Sequence, residues 1–139
     1  VKTLDVSEIE FNYRRSILPD NSIIIGARLK LRQGDPYSIK KLVKEFAKQK
    51  SLRQPISKKS AGCVFKNPIG VSAGELIDKA GCKGIRVGDI EVSRLHANFF
   101  INLGNGTADD FLRLMDIVEK RVYDWFGIIL EPEIKILNG

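Results

Sequence analysis

Between Thr107 and Gly127 the chain carries a helix with both ends marked, and no other stretch restricts the fold as much. Phe111, Leu114, Met115, Val118, Val122 and Trp125 recur at helical spacing and form one apolar stripe. Thr107 is a residue that caps helix N-termini, and Gly127 is a C-terminal stop. A stripe of this kind has to be covered by a second apolar layer. The neighbouring sequence offers one in short strands. Ile85 to Ser93 reads as two of them turning at Gly88-Asp89, and Asn98 to Asn102 as a third, followed by a turn over Leu103-Gly104-Asn105-Gly106. After the helix, Ile128 to Leu137 reads as a final strand, with Pro132 marking an edge position or a kink.

The first half mixes the same two periods. Ser22 to Arg32 alternates, with Ile23, Ile25, Ala27, Leu29 and Leu31 on one face and Arg28, Lys30 and Arg32 on the other, which predicts a half-buried strand. Gly34-Asp35-Pro36 breaks it. Asp35 is a good N-cap and Pro36 a good first helical residue. Ile39, Leu42, Val43, Phe46 and Ala47 then predict an amphipathic helix to about Lys50. Residues 51–71 read as loop apart from a short strand at 63–66. Ser72-Ala73-Gly74-Glu75 has the form of a capping box and Gly81 that of a stop, so 73–80 is a short helix. The expected class is α+β, a mixed or antiparallel sheet with helices packed on one side. Residues 1–33 are expected to be the end of another domain, and 34–139 a domain with its own core.

At 139 residues and 43% hydrophobic composition the chain can bury a core. No apolar run approaches the roughly 20 residues of a membrane span. Residues 1–10 hold Asp5, Glu8 and Glu10, so no signal peptide is expected. The start at Val1 suggests a fragment or a processed product. Cys63 and Cys82 make no disulfide framework and suit a reducing cytoplasm, with Cys82 a small filler. The net charge of +6 is uneven: residues 28–66 hold 12 Lys/Arg against Asp35 and Glu45, a balance of +10, leaving −4 for the rest. Such a block implies an anionic partner, or else a solvated helix face rich in lysine.

The densest group of chemical side chains is Ser60-Ala61-Gly62-Cys63-Val64-Phe65-Lys66-Asn67-Pro68. Ala61 and Gly62 let backbone approach a ligand closely. Cys63 is a nucleophile-class side chain, and Lys66 and Asn67 add a cation and an amide. Downstream, Leu130-Glu131-Pro132-Glu133-Ile134 presents two carboxylates. Each has a plainer reading. A lone cysteine is more often a buried hydrophobe than a catalyst, and Glu133 fits a solvated strand face. His96 is the only histidine, so no metal site is expected. A Cys63–His96 couple stays open, because sequence cannot bring the two together. Tyr13-Arg14-Arg15-Ser16 reads as an exposed strand end.

Taken in order, these motifs resemble the C-terminal part of the UDP-N-acetylenolpyruvoylglucosamine reductase family, also called UDP-N-acetylmuramate dehydrogenase. The matching pieces are Phe11-Asn12-Tyr13-Arg14-Arg15-Ser16, Gln54-Pro55, Ser60 to Pro68, Ala73 to Ile77 and Gly81 to Gly84. Val92-Ser93, His96-Ala97-Asn98-Phe99, Gly104-Asn105 and Leu130 to Glu133 complete the set. They cover nearly the whole chain. Ala-Gly-(Ser/Cys)-x-Phe-Lys-Asn-Pro followed by Glu-Pro-Glu is specific as a pair.

The resemblance implies a cytoplasmic flavoenzyme of peptidoglycan synthesis. NADPH reduces FAD, the flavin passes hydride to C3 of UDP-N-acetylglucosamine enolpyruvate, and an enzyme acid protonates C2. That acid, usually serine, falls at Cys63. Arg14 and Glu133 would stabilise the charge left on C2 and its carboxylate. Tyr13, Lys66, Asn67 and His96 would line the site, and Arg53 would reach the UDP diphosphate. A thiol is an acceptable substitute, since free cysteine has a pKa near ~8.5 and carries a proton at neutral pH. The family's N-terminal FAD-binding region has no counterpart here, so 1–33 would be its tail, 34–139 the substrate-binding domain, and this chain alone inactive. Only Gln33-Gly34-Asp35 joins the expected strand and helix, as in the subgroup lacking an inserted tyrosine loop. A different class, a small basic nucleic-acid-binding module, accounts for the +10 block. Few aromatics interleave with its lysines, which weighs against it.

Overall fold

A computed structural model describes residues 1–137 of the chain. The chain divides into two compact units, Val1–Gly34 and Asp35–Gly139. In the first, a turn of 3-10 helix (Val6–Glu8) is closed by a capping box, with Asp5 accepting from the Ser7 N–H and Glu8 accepting from the Asp5 N–H. Strands β1 (Glu10–Asn12) and β2 (Arg15–Ile17) then pair as an antiparallel hairpin, Asn12 opposite Arg15. Tyr13-Arg14 is its two-residue tip. The half-buried strand expected at 22–32 is not formed. Ile23, Ile25, Leu29 and Leu31 are exposed, and no ladder pairs them among the described residues. Alternation makes a strand only when a neighbouring edge takes up its backbone groups.

The second unit opens with helix α1 (Pro36–Arg53), three residues longer than expected. Asp35 caps it, accepting from the Ser38 N–H at 2.8 Å. β3 (Lys59–Cys63) follows, then α2 (Ala73–Lys79), β4 (Arg86–Val87), β5 (Ile90–Val92), β6 (Phe99–Asn102) and α3 (Ala108–Phe126). The four strands form one antiparallel sheet in the order β3-β6-β5-β4. α3 lies on β4 and β5, and α2 packs on α3. The class is therefore α+β as expected, with two sheets rather than one.

The core sits between the sheet and these helices. Val92 and Phe100 from the sheet meet Leu114, Val118 and Val122 of α3 and Ile77 of α2. Each such side chain contributes roughly 1.5–3 kcal/mol by leaving water. Cys82 is 0% exposed and fills space there, as its small size suggested. Two expectations about this layer fail. Trp125 is 69% exposed, one step past the buried stripe, and Phe111 is only partly buried. Residues 128–137 make one isolated bridge, Phe65 opposite Pro132, in place of a strand. That bridge is of the kind in which the flanking residues carry the hydrogen bonds, so the missing N–H of Pro132 is not needed.

Candidate functional site

β3 does not run straight into its partner. Ser60 stands opposite Ile101 and Cys63 opposite Phe99, so three steps on β3 span two on β6. The extra residue is absorbed as a bulge at Ala61-Gly62, where Gly62 has φ +86°, a conformation that costs other residues strain. Side chains alternate along a strand, so an inserted residue reverses every later one. By this register the bulge puts Cys63 on the face shared by Ser60, Phe99 and Ile101, opposite to Phe100 and α3. The short strand expected at 63–66 is thus displaced to Lys59–Cys63, and the thiol stands at its end, half-buried.

Beyond Cys63 the chain is held on both edges. Asn98 O accepts from the Val64 N–H at 2.9 Å. On the other side Lys66 N–H donates to Glu131 O and Glu133 N–H to Val64 O, both at 2.8 Å. These bonds bring Cys63, Lys66 and Glu133, far apart in sequence, onto adjacent backbone segments. Glu133 is half-buried and keeps its Oε2 out of solvent. The Lys66 ammonium is ion-paired with the Glu131 carboxylate, a partner that sequence reading left out.

Asn67 has a structural task as well. Ser72 makes no side-chain cap bond, contrary to the capping box expected there. Asn67 Oδ1 instead accepts from the Ala73 N–H at 3.0 Å, capping α2 from five residues before Ser72. His96 lies against α2, where a β-carbon on Gly74 would come within 3.2 Å of its Cε1, and its ring meets Phe99 edge-on at 4.8 Å. Its Nδ1 accepts from the Asn98 N–H at 3.3 Å, which ties up one nitrogen. Burial, and then the Lys83 charge, hold the imidazole below its usual pKa.

Arg53 is the last residue of α1 and is exposed. Its neighbours Ser51 and Gln54 border an open cavity of about 540 Å³, together with Lys58, Arg94, Ile101 and Leu103. Ile101 shares the sheet face of Cys63, so the cavity opens on that face. Tyr13 and Arg14 belong to the first unit. Arg14 adopts a left-handed backbone, φ +57°, at the hairpin tip, and its guanidinium carbon is 5.9 Å from the Tyr13 ring centroid. A non-glycine residue in that conformation costs about 1 kcal/mol or more and is found where geometry matters. Among the described residues no group of three or more His, Cys, Asp or Glu could hold a metal ion, and no helix is long and apolar enough to cross a membrane.

Residues 54–137 match the family model for the C-terminal domain of UDP-N-acetylenolpyruvoylglucosamine reductase. The curated UDP-N-acetylenolpyruvoylglucosamine reductase of Rubrobacter xylanophilus is 44% identical over 133 residues, which cover 94% of this chain and 44% of that protein. The reductase of Streptococcus suis is 43% identical over 139 residues, 99% of this chain and 46% of that protein. A crystal structure of the Thermus caldophilus enzyme superposes with TM-score 0.78 and 41% identity, over 93% of this chain and 46% of that one. The chain spans less than half the length of these relatives.

Proposed function

Because the chain belongs to the UDP-N-acetylenolpyruvoylglucosamine reductase family, whose C-terminal domain it carries, we propose that it forms the proton-delivering, substrate-holding side of that reduction. The substrate is UDP-N-acetylglucosamine enolpyruvate, the electron source NADPH, and the setting cytoplasmic peptidoglycan synthesis. The observation that supports this reading is the backbone pairing across Val64–Lys66, which lays the segment that follows the half-buried Cys63 alongside the segment that carries the half-buried Glu133. The relatives are reductases, and nothing in family or fold supports the nucleic-acid module.

The described residues fit the substrate better than a cofactor. The positive-φ glycines of the second unit sit singly at a bulge, turns and helix ends rather than in a phosphate-cradling run. FAD is therefore assigned to the length of the family that this chain does not span, and residues 1–33 to its tail. Flavin, when bound there, supplies the hydride. Everything else falls to this chain. Cys63 gives its thiol proton to C2 of the enolpyruvyl group. Glu133 and Arg14 stabilise the negative charge that develops on C2 and its carboxylate, Glu133 by hydrogen bonding and Arg14 electrostatically. Asn67 can offer its amide N–H groups while its oxygen caps α2. Lys66 and Arg53 are the cations for the substrate's anionic groups, with Arg53, which lies in the chain between the cavity-lining Ser51 and Gln54, assigned to the diphosphate. Tyr13 and His96 complete the lining.

The test is turnover by the full-length protein. NADPH should be consumed one-for-one with formation of UDP-N-acetylmuramate, and Glu133→Gln should lower kcat by at least ~10²-fold with a far smaller change in KM. No enolpyruvyl-dependent NADPH consumption, or an unaffected Glu133→Gln enzyme, would refute the reading.

A further inference from the structure

Asn98 is a buried polar side chain of the second unit with both ends of its carboxamide bonded, and its motif alone gives it no task. It is 2% exposed. The ladder between β3 and β6 ends at the pair Cys63–Phe99. Beyond that pair the chain at 96–98 is a turn, with the Asn98 N–H given to His96, so its backbone cannot pair with Phe65 as a strand would. The Asn98 side chain reaches across in its place. Oδ1 accepts from the Phe65 N–H at 2.9 Å and Nδ2 donates to the Phe65 carbonyl at 2.8 Å. One carboxamide thus makes both bonds that a residue in an antiparallel ladder makes. It secures one edge of the segment whose other edge carries Glu131 and Glu133.

We propose that Asn98 is a positioning residue for the reaction, setting the placement of the Cys63 thiol relative to Glu133. The assignment rests on the reading of Cys63 as proton donor. Asparagine alone combines this reach with a coplanar donor and acceptor. Glutamine is a methylene too long for the space. Aspartate loses the donor and, when ionised, turns a negative oxygen toward the Phe65 carbonyl. Alanine leaves a buried N–H and a buried C=O unmet and frees residues 64–66 to shift. A misplacement of about 1 Å can cost on the order of a hundredfold in rate.

The experiment uses Asn98→Ala and Asn98→Asp. In the 139-residue chain Cys82 is fully buried, so alkylation by iodoacetamide reports Cys63. Well below each variant's melting temperature, Asn98→Ala should alkylate at a rate several-fold different from wild type. In the full-length enzyme, reoxidation of reduced flavin by the enolpyruvyl substrate should fall roughly a hundredfold, with reduction by NADPH unchanged. That loss should largely vanish in a Cys63→Ala background, since both changes act through one thiol. Asn98→Asp keeps the size and one acceptor, and covers the case in which the alanine variant does not fold. It should regain rate as pH falls, because the protonated carboxyl again offers a donor. Unchanged alkylation in a folded variant, or losses that simply add to that of Cys63→Ala, would overturn the proposal. If alkylation shifts as expected but the wild-type enzyme does not reduce the substrate, the functional reading falls and the geometric role of Asn98 stands.

Discussion

α1 and α3 are near twins in sequence terms and opposites in the fold. They are 18 and 19 residues long. Each has an apolar stripe, and each has an N-cap side chain bonded to backbone: Asp35 to Ser38, and Thr107 to Asp110 at 3.1 Å. α3 buries Leu114, Met115, Val118 and Val122, while α1 buries nothing and leaves Phe46 59% exposed. Caps and spacing decide that a helix forms. Burial needs a facing surface, and most helix stability in proteins comes from that packing. The surface facing α3 is built by β4, β5 and α2. Among the described residues, none of the closely packed element pairs includes α1.

The widest separation of the two should come from matched truncations. Leu114→Ala is expected to cost ~2–5 kcal/mol, whereas Leu42→Ala, at a site 55% exposed, should cost about 0.5 kcal/mol or less. Urea melts of the 139-residue chain measure both, and similar losses would break the contrast. Next come the caps. Thr107→Ala should lower global stability by ~1 kcal/mol, while Asp35→Ala should reduce helical circular dichroism and leave the main transition where it was. A shift of that transition by Asp35→Ala would mean α1 is packed after all.

The smallest effect is one of pH, and it belongs to the second unit's packed part. Burial lowers the pKa of His96 from 6.5, so the folded unit prefers the neutral ring. Its contribution is fully present above 6.5, the ordinary value, and is lost as pH falls below it toward the folded pKa. Melting temperature should therefore drop between neutral and mildly acidic pH, less so in His96→Gln. An identical pH profile in the variant would remove His96 as the cause.

Legibility followed the range of the forces involved. α3, the β4–β5 hairpin and β6 could be read from sequence because their caps, turns and alternation are settled within a few residues. The strand expected at 22–32 has equally clean alternation, but a strand is completed only by a partner, and period says nothing of where that partner is. Gly62 shows the same limit on a smaller scale: a single bulge moved β3 and set the face of Cys63. Ser72 looked like the cap of α2, yet Asn67 took the position from outside the local motif. The candidate residues themselves were visible as chemical types. What brought their segments together was not, because it consists of backbone bonds from Val64 and Lys66 to Glu133 and Glu131, across 65 or more residues.

The central claim is that the second unit delivers the proton through Cys63, and it is tested most directly by the two half-reactions of the full-length enzyme with Cys63→Ala. Stopped-flow absorbance in the visible flavin band follows each half separately. Reduction by NADPH should be nearly unchanged. Reoxidation by the enolpyruvyl substrate should slow by ~10²–10⁴-fold, the usual worth of a positioned proton donor, and Cys63→Ser should recover much of it. Normal reoxidation in the alanine variant would contradict the account and leave Cys63 as packing alone.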